Sequence, residues 1–402
     1  MHDQAAFGLA LLAVSGGVAL ALLGSKASAR ISLPSAVVFL VVTALVSDAV
    51  PSLGLSILTV DRIATVALVV ILFEGGASMG WRRFRGAIVP IAALGTVGTF
   101  ATAGALAAFA HWAFGLPWVT AGLLGAAIAP TDPAVMFSLL GDRDTPGRPA
   151  TILEGESGTN DPVGIALVLG LLHLAANGDG SPWIVVRVFA LQMGVGLAVG
   201  IAGGLAEAAL IRRVSLPSPG LSTIRTLASA GVIYGTATVA SGSGFLAVFI
   251  AGLIVGDVDA PFDSEREVFQ KGVSALAEIV VFAALGLTIH ITGIGPGRWG
   301  EGLLLAAFAA LVARPLVVAP LLARTGLERG ERLFVLWGGL KGAVPILLGA
   351  YVLQKGVDGA QEVYELVFVV VLASVIVQGG TLPLAARRLR SPRAPATAGI
   401  SR

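Results

Sequence analysis

The chain reads as an all-α membrane protein of about 13 transmembrane helices, and three features of its sequence predict this. Of its 402 residues, 56% are hydrophobic and only 12% are charged, whereas an average soluble domain carries about 25% charged residues. So few polar side chains cannot cover a globule of this size, and most of its surroundings must be lipid. The 53 glycines exceed the usual ~7% and suit close helix contacts and interrupted helices within a bilayer. Finally, apolar runs of spanning length recur from end to end. The same composition excludes other classes. Net charge is only +2, with no basic cluster interleaved with aromatics, so nucleic acid is not a partner. There is no cysteine, and the four histidines form no HExxH, which leaves no thiolate or zinc-enzyme signature and no expected cofactor.

Crossing ~30 Å of hydrocarbon takes about 20 residues. The runs fall at roughly 6–24, 33–50, 62–80, 86–110, 117–140, 149–175, 183–211, 222–240, 243–257, 271–293, 302–323, 332–354 and 362–386. Only Ser241-Gly242-Ser243 separates the eighth from the ninth. With thirteen spans and the N-terminus outside, 20 of the 26 basic residues fall in cytoplasmic loops and the tail, as the positive-inside rule requires. The expected location is therefore a bacterial or archaeal inner membrane, with the C-terminus cytoplasmic. Ala27-Ser28-Ala29 resembles a signal-peptidase site, but Met1-His2-Asp3-Gln4 lacks a basic n-region, so the first span is read as retained.

Shifting the chain by 210 residues lays ALVVILFEGGASM (67–79) over AEIVVFAALGLTI (277–289), and Thr131-Asp132-Pro133 over Lys341-Gly342-Ala343. This register pairs spans 1–6 with spans 8–13. A shift of seven spans is odd, so the copies are inverted, an arrangement common in transporters. The organisation expected is one transmembrane domain over 1–386 and a short basic tail over 387–402. Within it, repeat 1 covers about 6–175, a linker helix about 183–211, and repeat 2 about 222–386.

Charges within the spans identify the candidate site, because an ionised group at mid-bilayer costs ~3 kcal/mol or more. In span 5, Pro133 has no N–H and frees the carbonyl of Ala129, so the helix should break beside Asp132. In span 6, TILEGESGTNDPVG puts Ser157, Asn160 and Asp161 on one helical face, with Glu154 a turn back and Glu156 one turn from Asn160. Carboxylate, hydroxyl, amide and freed carbonyl oxygens are the ligands hard cations prefer. In span 12, Lys341 needs an anion, with Glu156 or Asp132 the natural candidates. Arg314 in span 11 also needs one, for which Glu154 and Glu278 are options. Glu74 and Glu207 read as solvated helix-end charges beside basic loops.

TDP, EGESGTNDP and GLKGAVP in that order, with ILFEGG (71–76) and SGFLAVFIAGLIVGD (243–257), resemble the NhaP-type monovalent cation/proton antiporters, in the branch with an Asn-Asp pair. The resemblance implies thirteen helices with two crossed discontinuous helices (spans 5 and 12), a separate dimerisation domain and a homodimer. It also implies that Asp161 binds ion or proton, and that Thr131, Asp132, Glu156, Ser157 and Asn160 complete or support the site. Sodium would then sit at Asp161, Ser157 and Thr131. This chain departs from the pattern in three ways: lysine at 341 where arginine is usual, Gly158-Thr159 where leucines are common, and GAVP, which is more typical of relatives associated with potassium.

Asp161 cannot stay empty and ionised in a low-dielectric core at small cost, so it should hold either a proton or a cation. That competition couples the two flows. One titrating carboxylate beside an amide predicts electroneutral exchange of sodium, or lithium, for a proton in a 1:1 ratio. A potassium/proton antiporter of the same fold is the alternative reading and a cation channel a remote one. No continuous filter is visible for a channel. No buried nucleophile–base pair is visible for an enzyme.

Overall fold

The computed structural model describes residues 35–50, 54–132, 147–176, 181–214, 216–258 and 263–389, with Gly8 and Gly16. Apart from those two glycines, the first predicted span lies outside the described residues, as do Pro133 and the tail from 390. Among the described residues every regular element is a helix and none is a strand. In chain order they are α1 (Ser35–Ala49), α2 (Ile57–Arg85), α3 (Ile88–Phe114), α4 (Trp118–Ile128), α5 (Arg148–Ala176) and α6 (Trp183–Arg213). Then follow α7 (Pro219–Val239), α8 (Gly244–Val255), α9 (Asp263–Gly286), α10 (Pro296–Leu322), α11 (Arg329–Trp337), α12 (Ala343–Lys355) and α13 (Ala360–Ala386). Six of these are both long and apolar enough to cross a membrane. The protein is an all-α, multi-pass membrane protein.

Local chemistry explains the boundaries. Ser243 accepts the amide of Leu246 at 3.2 Å and caps α8, so the short Ser-Gly-Ser link does divide two helices. Pro219 and Pro296 occupy first turns, where the missing N–H costs nothing. Gly356 closes α12 at φ 64, the left-handed geometry a glycine adopts freely. Several predicted limits shift, among them that of the span expected at 302–323, which begins at Pro296. The span expected at 62–80 is part of the longer α2, which kinks at Gly80. The span expected at 271–293 begins at Asp263 and ends at Gly286. Gly286 packs against the backbone of Leu40, and the helix gives way there to turns.

Two packing groups emerge. In the first, α8 lies between α2 and α6, and α9 packs on α1 and α2. Gly196, Gly200 and Gly204 form a stripe on α6 facing Ser243, Ala247 and Ala251, so close that a Cβ on Gly200 would sit 2.7 Å from the carbonyl of Ala247. Small residues four apart allow such backbone contact in lipid. Much of the rest of α6 faces outward: only 11% of its most apolar stretch is buried. Trp112, Trp118 and Trp183 are exposed at the ends of α3, α4 and α6, as anchors at a membrane interface would be.

The second group gathers α3, α4, α5 and α10 to α13. Three of its members contain a π-helical segment: Ala93–Gly98 in α3, Ala309–Ala313 in α10 and Ser374–Gly379 in α13. Such segments recur at functional sites, and here each borders the polar centre. Gly95 packs against Thr159 of α5, the second segment ends immediately before Arg314, and the third supplies Ser374 to the amide of Lys341.

Candidate functional site

The polar centre is built on two helix breaks. After α4 ends at Ile128, the carbonyl of Ala129 finds no intrahelical donor, because residue 133 is proline. The ammonium of Lys341 supplies one: its Nζ donates to the carbonyls of Ala129 and Pro130 at 2.9 and 3.1 Å. Lys341 itself lies in the non-helical stretch between α11 and α12. In return the amide of Asp132 donates to the carbonyl of Leu340 at 2.8 Å. The Asp132 carboxylate packs against Gly342, the N-cap of α12, where a Cβ would not fit. Each break thus gives the other the charge its helix end favours: a cation at the carbonyl end of α4 and an anion at the amide end of α12.

Helix α5 runs past Pro162 without interruption and presents two faces. On one, Glu154, Ser157, Gly158 and Asp161 follow the i, i+3, i+4, i+7 spacing of a single stripe and line a cavity of about 430 Å³. Asp132, Glu74 of α2 and Glu278 of α9 line it too. Asp161 is 5% exposed, and its carboxylate accepts no hydrogen bond from any described residue. On the other face, Asn160 donates from Nδ2 to the hydroxyl of Thr131 at 2.8 Å and accepts the Thr131 amide at 3.4 Å. Glu156 meets Arg314 of α10 in a two-pronged pair, at 2.8 and 3.1 Å. Arg314 also donates to the carbonyls of Leu336 and Val335, where α11 ends.

These contacts correct several expectations. Lys341 binds carbonyls, because the break of α4 leaves acceptors within its reach, and Glu156 belongs to Arg314 instead. Arg314 pairs with neither Glu154 nor Glu278. Glu154 lies nearer the surface and meets Arg83 at 3.2 Å. Asn160 shares a stripe with Asp161 only in part; it turns to the α4 break and braces Thr131. Glu207 is buried, not solvated, held by Arg225 at 3.3 Å and Ser229 at 2.6 Å. Glu74 lines the cavity. Sequence reasoning passed over Ser374 and Gln378, which link the Lys341 amide to the carbonyl of Trp337. Their four-residue spacing inside an otherwise apolar helix was the available signal. Among the described residues no group of three histidine, cysteine or acidic side chains could hold a metal ion. Thr131, Ser157 and Asp161, the residues expected to hold sodium, are all buried within this centre.

Known proteins resemble this chain. Residues 17–388 match the family described as sodium/hydrogen exchanger, transmembrane. The K(+)/H(+) antiporter NhaP2 of Shewanella sp. (strain ANA-3) is 34% identical over 391 residues, covering 96% of this chain and 67% of that protein. The Na(+)/H(+) antiporter ApNhaP of Aphanothece halophytica is 27% identical over 347 residues, 83% of this chain and 65% of that one. The solved structure of the sodium proton antiporter MjNhaP1 from Methanocaldococcus jannaschii superposes with a TM-score of 0.79 at 22% identity, over 97% of this chain and 99% of that one. That likeness shows a common fold.

Proposed function

We propose, for a chain that belongs to the transmembrane sodium/hydrogen exchanger family and is therefore a monovalent cation/proton antiporter, that Asp161 is the carboxylate for which cation and proton compete. The family exchanges ions and is not enzymatic. One observation carries the assignment: Asp161 is buried at mid-span, lines the cavity and accepts no hydrogen bond from a described residue. A carboxylate in that position is costly when empty, so a proton or a desolvated cation must neutralise it. Ser157 lines the same wall and would add a hydroxyl ligand, and Thr131, fixed by Asn160, an oxygen from the α4 break. Asp132 and Lys341 hold the two breaks together, and Arg314 neutralises Glu156.

Counting charges at this centre supports electroneutral exchange. At the two helix breaks and the face of α5 between them, Asp132, Glu156 and Asp161 oppose Arg314 and Lys341, which leaves one negative charge there; Glu74, Glu278 and Lys271 line the cavity leading to it and stand outside this count. One monovalent cation or one proton cancels it, hence a 1:1 ratio. We read α4 and the α11–α12 pair as crossed discontinuous helices at equivalent positions of two inverted repeats. The reciprocal bonds between residues 129–132 and 340–342 support this reading. The cavity, with Arg83 and Glu154 among its lining residues, is the cytoplasmic approach to Asp161, with the N-terminus outside and the C-terminus inside. The exposed apolar face of α6 suits a homodimer contact. The protein works in a bacterial or archaeal inner membrane.

Sodium, with lithium, is the proposed cargo. Potassium is the second reading, favoured by the 34% relative that is named a K(+)/H(+) antiporter. Proteoliposomes loaded separately with sodium, lithium and potassium decide between them by which ion drives proton movement. In the same assay Asp161→Asn should abolish exchange while the protein keeps its wild-type melting temperature. Half the wild-type rate in that variant would overturn the assignment.

A further inference from the structure

The cavity holds a carboxylate that the mechanism above leaves idle. Glu278 projects from α9, ten residues beyond Val268 and eight before Gly286, near the middle of that span. It lines the same cavity as Ser157 and Asp161, and shares with Lys271 and Ser274 one stripe of α9 that faces it. No hydrogen bond or ion pair joins Glu278 to a described residue. The neighbouring cations are engaged elsewhere: Arg314 with Glu156, Arg83 with Glu154, and Lys341 with two carbonyls, while Lys271, two turns away on the same helix, makes an interaction of its own. An ionised carboxylate at this depth costs several kcal/mol unless a counter-charge joins it.

Its position says which counter-charge. Asp161 stands on α5, whereas Glu278 stands on the facing wall, on a helix packed against α1 and α2. A cation in the cavity therefore has both carboxylates in its surroundings. From the extended reading that Asp161 is the exchange carboxylate, we infer that Glu278 is a second cation-binding carboxylate of this pathway, a loading station that takes a monovalent cation partly stripped of water before Asp161 receives it. Two oxygen ligands on opposite walls allow dehydration in steps, each short of the full desolvation cost. The station concentrates cation beside Asp161 without taking part in the exchange at that carboxylate. It therefore acts on apparent affinity and not on turnover.

The test uses the full chain in proteoliposomes, with sodium and potassium titrated separately. Glu278→Gln should raise the apparent KM for the transported cation roughly tenfold with Vmax within about twofold, and Glu278→Asp should restore most of the affinity. Asp161→Asn, measured in parallel, should lose exchange altogether, so the two assignments fail separately. A wild-type KM in Glu278→Gln would overturn the station. So would complete loss of exchange in a folded Glu278→Gln protein, since the residue would then be obligatory. Should that variant not fold, carbodiimide labelling of Glu278 in the wild-type protein gives the answer by mass spectrometry. Sodium or potassium, but not choline, should protect Glu278, and should do so in Asp161→Asn as well. Labelling indifferent to all three ions would refute the proposal.

Discussion

The α6–α8 seam and the pair of helix breaks hold themselves together by opposite means. Around α6 and α8, three glycines spaced four apart press one backbone onto another, with no charge in the contact. Around the breaks of α4 and α11–α12, close packing gives way to ionised groups and freed carbonyls. Hydrocarbon gives neighbouring helices no hydrophobic reason to associate, so the first region relies on dispersion and shape. The second contains groups whose burial is unfavourable one by one and tolerable only as a matched set. On the function proposed above, the glycine seam can stay fixed while the charged centre changes one partner, the cargo, in every cycle.

The sharpest way to break this contrast is to strand a charge. Arg314→Ala leaves Glu156 buried without its partner and should cost about 3–5 kcal/mol, read as a marked fall in melting temperature in detergent. Adding Glu156→Gln should recover much of that loss. A double variant no more stable than the single one would show that the pair is not the source.

Lys341→Ala comes next, because the carbonyls of Ala129 and Pro130 lose their donor, at about 1–3 kcal/mol for each buried group left unmatched. Here Glu156→Gln should bring no rescue, since Glu156 answers to Arg314. Rescue in a thermal-stability double-mutant cycle would restore the Lys341–Glu156 pairing that the sequence first suggested. On the other side of the comparison, Gly200→Leu should overpack the α6–α8 seam by about 1–3 kcal/mol. Transport per folded molecule should be unchanged, which parallel melting and flux measurements would check. The smallest expected effect is none: an imposed potassium-diffusion potential should leave sodium-driven exchange at its resting rate, because Asn160 adds no second titrating charge. Clear acceleration would mean that more charge moves than one cation for one proton.

Most of the helix plan was legible because lipid imposes length and apolarity on every span, and Gly, Pro and Ser punctuate the ends. The division at Ser241-Gly242-Ser243 was readable for that reason, and Ser243 is indeed a cap. The start of α9 was not, since residues 263–267 are polar and helical beyond the apolar slab, where hydropathy says nothing about helicity. At the site, spacing on α5 brought Ser157 and Asp161 to one stripe. It could not say that Asn160 turns to Thr131. Nor could it rank partners for Arg314: Glu156 is 158 residues away, and other buried carboxylates compete for the same cation. Residue types announce that charges must pair, but only three-dimensional packing decides which ones meet.

Position 158 shows how a departure from a motif is absorbed. Gly158, where leucine is the commoner residue in the antiporters this sequence resembles, sits directly beneath the ring of Phe249 from α8, and even a β-carbon there would overlap that ring. Phe249 stands edge-on to Phe84 at 6.1 Å and also forms part of the cavity wall. The small residue on the helix that carries Asp161 and the large one on its neighbour are therefore two halves of a single adjustment. Transplanting the leucine alone would wedge α5 away from α8. Shortening Phe249 alone would open a hole beside the cavity. A working chimera must exchange both together, so a variant library that samples either position singly will miss the compatible combinations.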